Sequence, residues 1–294
     1  MIKLFYITLF AIVAMGLNIG CSKSNKPTDA NCVYEQDSEV VTSYASSGAI
    51  FLFGERHGTN EAPSFIANFA CKIAKDSDDS TIVLLELPIP DLLSDPSNKE
   101  ISIEEAKRLI LAEGDVYWTG SRDGRTSVAM MNAILRILYL REQGLDISLG
   151  STMAKSDDTI EGFGIDLTFA DEYTFDNTYF KEAARILRYK SRFKNVIVLN
   201  GRAHTRNHIR FYKKANVETP YIGFVQGYGG GSEWNCQEDE CGVHATIPAY
   251  EDLVGDAEHG SLVLFDERRD ELYKGAYVFK TISPSPPYST NISQ

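Results

Sequence analysis

Positive charge is what this sequence of 294 residues is short of: 29 Lys and Arg stand against 41 Asp and Glu, a formal net charge of −12 at pH 7. Loss of Lys3 with a cleaved leader makes the balance one charge more negative. So acidic a chain has no electrostatic hold on nucleic acid or on an anionic membrane surface, and any membrane attachment has to come from its leader. The short signatures of common hydrolase and metal folds are absent as well. There is no Gly-x-Ser-x-Gly elbow, no His-Glu-x-x-His helix and no EF-hand loop. Gly227-Tyr228-Gly229-Gly230-Gly231-Ser232 lacks the Lys-Ser/Thr ending of a phosphate loop and reads as a flexible rim. The apolar run from Leu4 to Leu17 falls short of the roughly 20 residues that span a bilayer.

That run is preceded by Lys3 and ends in Gly20-Cys21, followed by the polar stretch Ser22-Lys23-Ser24-Asn25-Lys26-Pro27. It reads as an export signal over residues 1–20, with Cys21 as the lipid-bearing residue of a bacterial lipoprotein. Asn18 stands where a lipobox usually has leucine, so ordinary cleavage and an uncleaved anchor are the competing readings. The expected location is the cell envelope, periplasmic or at the surface, with the lipid anchor as the contact to the membrane. Beyond Cys21 only four cysteines remain, Cys32, Cys71, Cys236 and Cys241, an even number in a compartment that permits disulfides. No second Cys pair lies near Cys236 and Cys241, so their spacing points to a loop staple rather than a metal site. Spacing does not decide whether Cys32 and Cys71 pair.

Residues 21–47 are polar and read as a tether. An ordered domain is expected over 48–282, and the Ser283-Pro284-Ser285-Pro286-Pro287 stretch opens a solvated tail over 283–294. Within the domain, short apolar runs at Ala49 to Phe53, Thr81 to Leu85, Leu145 to Leu149, Asn195 to Leu199 and Tyr221 to Val225 alternate with helical periodicity. The predicted helices cover Asn60 to Asp76, Ile103 to Glu113, Ser127 to Gln143 and Tyr179 to Lys190, and Leu262 to Phe265 is a late strand at the sheet edge. The expected fold is a single α/β domain with a mainly parallel central sheet flanked by helices.

In such sheets ligands bind beyond the carboxyl ends of the strands. Three runs deliver glycine or ionisable residues there: Gly54-Glu55-Arg56-His57-Gly58, Glu86, and Asn200-Gly201-Arg202-Ala203-His204. Two matching Gly-x-x-His loops suggest one polar site served by His57 and His204. Each residue also has a plainer reading. Glu55 suits a helix start, Glu86 would be satisfied by Arg56 or Arg202, and Asp123 and Thr126 are ordinary turn and N-cap residues ahead of the helix at Ser127. His208, His244 and His259 stay unassigned.

Gly54-Glu55-Arg56-His57-Gly58-Thr59-Asn60-Glu61, Glu86 and Gly201-Arg202-Ala203-His204 resemble the erythromycin esterase, ChaN and Tiki/TraB superfamily, and ChaN-like bacterial lipoproteins within it. The resemblance implies a hydrolase of an ester, amide or phosphate-containing small molecule. His57 would be its base or a metal ligand, Glu55 and Glu86 acidic partners, and His204 a second ligand or electrophile. It also implies the alternative of a haem- or metal-binding surface lipoprotein without catalysis. The cofactor would be a divalent metal on His57, His204 and Glu86, or haem on one of the two histidines. Arg56 and Arg202 inside the motifs, and Arg125 nearby, add positive charge that disfavours a tightly held cation and suits a substrate carboxylate or phosphate.

Overall fold

The computed structural model describes residues 32, 38–77, 79–98, 100–120, 122–153, 155, 177–237, 240–266 and 269–289. The leader and Cys21 lie outside the described residues. Helix α1 (Glu39–Ser47) leads into strand β1 (Ile50–Glu55), followed by α2 (Glu61–Asp76), β2 (Thr81–Leu85), α3 (Ile103–Glu113), α4 (Asp115–Gly120), α5 (Val128–Glu142) and β3 (Ile147–Ser151). The second half runs α6 (Asn177–Lys190), β4 (Asn195–Gly201), α7 (Arg202–Lys214), β5 (Tyr221–Tyr228), β6 (Ser232–Gln237) and β7 (Glu240–Ala245). It ends with α8 (Glu251–Val254), β8 (Ser261–Leu264) and β9 (Gly275–Phe279).

Seven strands form one sheet in the order β3-β2-β4-β1-β5-β9-β8, parallel except for β8 against β9, while β6 and β7 make a separate antiparallel hairpin. Strands buried on both faces need no alternation of polar and apolar residues, which is why they read as continuous apolar runs. Successive side chains still go to opposite layers. Phe51 and Phe53 pack with α2 and α5 on one face, and Ile50 and Leu52 pack with α6 and α7 on the other. The protein is thus a single α/β domain with helices on both faces of a mainly parallel sheet, as its sequence pattern predicts. No helix among the described residues is long and apolar enough to cross a membrane.

Both boundaries differ from the expectation. The stretch assigned to a tether ends in α1, which is N-capped by the Ser38 side chain and buries Val41 and Ala45. It is also fastened further back, because Cys32 is disulfide-bonded to Cys71 of α2. Cys236 and Cys241 form the expected second disulfide, at directly opposed positions of the β6–β7 hairpin. The supposed tail is packed as far as it is described, with Ser285 fully buried. Its order has a specific cause. The first N–H groups of a helix have no partner inside it, and in α5 the Val128 N–H donates to Pro286 O at 2.9 Å and the Ala129 N–H to Ser285 Oγ at 2.9 Å. The Ser127 hydroxyl serves Met130 N–H. Pro286 and Ser285 of the proline-rich stretch therefore supply the acceptors that the first turn of α5 lacks. Ser285→Ala would strand the buried Ala129 N–H, and thermal or denaturant unfolding should show a loss of about 1–3 kcal/mol.

Candidate functional site

Glu55 is the last residue of β1 and lies opposite Gly201, the last residue of β4, while Leu85 at the end of β2 lies opposite Leu199. Because β2, β4 and β1 are neighbours, this register puts Glu55, Glu86 and the start of α7 at one edge. Glu86 is 6% exposed, and its charge is met from two sides. Oε2 accepts the Gly201 N–H at 2.7 Å and Oε1 accepts Arg125 Nη1–H at 3.0 Å. Gly201 is the N-cap of α7, so the carboxylate also sits at the positive end of that helix.

Two imidazoles converge on this carboxylate. His57 Nδ1 is 2.9 Å from Glu55 Oε1, and its Nε2 lies 3.9 Å from Glu86 Oε2. His204 Nδ1 is 2.8 Å from Glu182 Oε2, and its Nε2 lies 3.4 Å from Glu86 Oε1. His57, Glu55, Glu86 and His204 are thus brought together. His204 does not stand in a loop, however, but in the first turn of α7. Gly201 is glycine because a Cβ there would meet His57 Nε2 at 2.8 Å and Glu86 Oε2 at 3.3 Å. Gly58 is held by another constraint: its φ is +76°, and a Cβ would lie 1.9 Å from Trp234 O. Its carbonyl accepts Trp234 N–H and Ser285 N–H, so the β6–β7 hairpin and the C-terminal segment lock the loop that carries His57.

Glu182 of α6 and His208 of α7 were not found from sequence. Glu182 Oε2 also faces His208 Nε2, at 3.0 Å. The available signal was the four-residue step from His204 to His208, which places both rings on one helix face. Glu233 of the hairpin was missed too, and it grips the Arg56 guanidinium through both oxygens. Arg125 is likewise engaged, its Nε donating to Asp123 Oδ2 at 2.6 Å. Arg202 is exposed and makes no ion pair among the described residues, lying over the Tyr250 ring at 5.8 Å. The cleft between these groups is open and encloses about 370 Å³.

Burial works against a charged imidazole at both histidines, yet each has its pKa raised from 6.5. At His57 the hydrogen bond and charge of Glu55, with the charge of Glu86, outweigh desolvation. At His204 the Glu182 hydrogen bond and the charges of Glu86 and Glu182 do so. Burial raises the Glu55 pKa despite its bond to His57. Burial also pushes Glu182 upward, but the hydrogen bonds from His204 and His208 hold it below the usual 4.5.

The donor set His57, His204 and Glu86 is chemically that of a divalent metal site, but its arrangement fits one poorly. The Glu86 oxygen facing His204 is taken by Arg125, whose charge repels a second cation. Among the described residues no group of three or more His, Cys, Asp or Glu side chains is arranged to hold a metal. Haem fits no better, since the walls are charged side chains rather than the apolar surface a macrocycle needs.

No protein-family model matches the chain, and no curated protein does. Among solved structures, the type III effector HopBA1 is similar at a TM-score of 0.44 and 14% identity, over 82% of this chain and 91% of that one. A Bacillus cereus protein is similar at a TM-score of 0.46 and 9% identity, over 90% and 96% of the two chains. At these values neither bears on the site or its chemistry.

Two outcomes follow from the geometry. Gly201→Ala should displace the His57 ring from Glu86, visible in a crystal structure of the variant as a shifted imidazole. A histidine whose folded pKa exceeds its unfolded one stabilises fully below about pH 6.5, and this contribution fades as pH rises through the folded value. Melting temperature should therefore fall toward the alkaline side of neutrality, and the fall should flatten in the double variant His57→Gln, His204→Gln. Glu182 has the opposite sign, with stability present above about pH 4.5 and lost on acidification.

Proposed function

We propose that this protein is an exported hydrolase of an ester, amide or phosphate-containing small molecule, in which His57 activates water directly. The observation that carries this reading is the pair of imidazoles, each tied by Nδ1 to its own buried carboxylate and each turning Nε2 toward Glu86 across one open cleft. Water is a poor nucleophile at neutral pH. His57 Nε2 takes its proton as the oxygen attacks, with Glu55 holding the hydrogen on Nδ1. His204, with hydrogens on both ring nitrogens, hydrogen-bonds from Nε2 to the oxygen that gains charge and passes that proton to the leaving group as its bond breaks. The second proton of the water stays on the product acid, and solvent exchange returns the proton from His57 to His204. Glu86 is the negative wall that keeps both rings aimed, and Arg125 stops that wall from being an unpaired buried charge.

The likeness of the Gly-x-x-His motifs to the erythromycin esterase, ChaN and Tiki/TraB superfamily supports the same reading. Two disulfides support an oxidising compartment, in keeping with a lipid anchor at Cys21 in the bacterial envelope. Arg202, which makes no ion pair among the described residues and whose guanidinium meets the Tyr250 ring and hydroxyl, suits a carboxylate or phosphate on the substrate.

A panel of p-nitrophenyl esters and phosphates tests the proposal. His57→Ala should lower kcat by about 10²- to 10⁴-fold. His204→Ala should do likewise, and the double variant should lose much less than the product because both serve one transition state. Activity should survive chelators. Loss of activity on chelation would return the metal reading. A Soret band on adding haem, in protein that turns nothing over, would replace the enzyme by a haem-binding lipoprotein.

A further inference from the structure

Glu182 and His208 lie behind the site rather than in it. Glu182 is 3% exposed and His208 fully buried, among Ala183, Ile186, Ile209 and Phe211 of α6 and α7. An ionised carboxylate beside an imidazole is a costly way to join two helices, since well-packed apolar side chains of similar volume usually serve as well or better. The cost is visible at His208 Nδ1, which is buried and has no hydrogen-bond partner among the described residues. Its other nitrogen bonds Glu182, the one hydrogen-bond target of this ring among the described residues. Glu182 in turn spends the same oxygen, Oε2, on His204 Nδ1 at 2.8 Å and on His208 Nε2 at 3.0 Å. A carboxylate can only accept from both, which requires a hydrogen on His204 Nδ1 and leaves His204 Nε2 for the cleft. His208 stands one helical turn beyond His204 and approaches the shared oxygen from the inner side.

We propose that Glu182 and His208 are positioning residues for His204: Glu182 fixes the ring hydrogen on Nδ1, and His208 holds the Glu182 carboxylate in the orientation that does so. The inference rests on the hydrolase reading for its effect on rate, but the tautomer of His204 can be read without turnover.

The test uses full-length protein labelled with ¹⁵N at histidine, with long-range ¹H–¹⁵N spectra assigned by single His→Gln variants. Recorded above the His204 pKa, the wild-type ring should show the Nδ1–H form, whose Nε2 is the atom that takes up and later donates the catalytic proton. The double variant Glu182→Leu, His208→Leu replaces the buried pair by apolar side chains and should still fold, while His204 moves to a mixture rich in Nε2–H. On p-nitrophenyl butyrate its kcat should drop about 10- to 100-fold with KM little changed, the signature of a misplaced catalytic group. His208→Gln keeps an N–H for Glu182 and should restore most of what His208→Leu loses. A folded double variant with unchanged His204 tautomer would overturn the proposal, as would unchanged kcat where His57→Ala abolishes it. If His57→Ala leaves ester hydrolysis intact, the hydrolase reading fails instead, and the spectra alone decide the positioning role.

Discussion

A carboxylate buried at the end of an apolar strand has to be paid for by its neighbours, and the site of this protein is organised around how Glu86 is satisfied. Its two oxygens are met by the Gly201 N–H at the mouth of α7 and by the Arg125 guanidinium, so neither donor comes from its own strand or loop. Both constraints reach far into the fold. The N–H is available only if β4 lies between β2 and β1 and ends in register with them, and the guanidinium only if the loop before α5 returns to the same edge. That loop is fixed in turn by the C-terminal segment, which caps α5 and hydrogen-bonds Gly58. The carboxylate is therefore joined to every layer of the domain.

Much of this was legible in the sequence, and the parts that were share one property: the strands are buried on both faces. Continuous apolar runs ending in Gly54-Glu55, Glu86 and Asn200-Gly201 announce both the sheet and the edge where polar groups collect. What was not legible depends on partners distant in the chain. Ser283 to Pro287 has the composition of a solvated tail, and only the unmet N–H groups of α5 make it structure. Residues 39–47 are helical because Val41 and Ala45 find the core, which a polar flanking composition conceals. Glu182 was hidden because a glutamate inside a helical pattern normally faces water, and only the packing of α6 on α7 turns it inward.

The charges around the cleft are arranged in nested pairs. Arg56 is neutralised by Glu233 and Arg125 by Asp123 together with Glu86, so two of the three arginines singled out from the sequence serve the architecture before they serve a ligand. A guanidinium already holding a carboxylate bidentately has few donors left for a second anion. Arg202 differs, being exposed and stacked on Tyr250, and it is the arginine from which a substrate anion displaces the least.

The two imidazole–carboxylate pairs look equivalent but are not. Glu55 serves one ring, through Oε1, and its Oε2 is buried with no hydrogen-bond partner among the described residues, so the one hydrogen bond it accepts there is that of His57. Glu182 divides its charge between two N–H donors on one oxygen. Hydrogen bonds to a charged acceptor weaken as that acceptor is shared, because each donor already neutralises part of the charge seen by the other. On the proposed reading this suits His57 to accept a proton and His204 to donate one, although both face the same Glu86. In the proposed hydrolysis, acid and base would thus be separated with two residues of the same kind, through what stands behind each ring rather than through anything in the cleft.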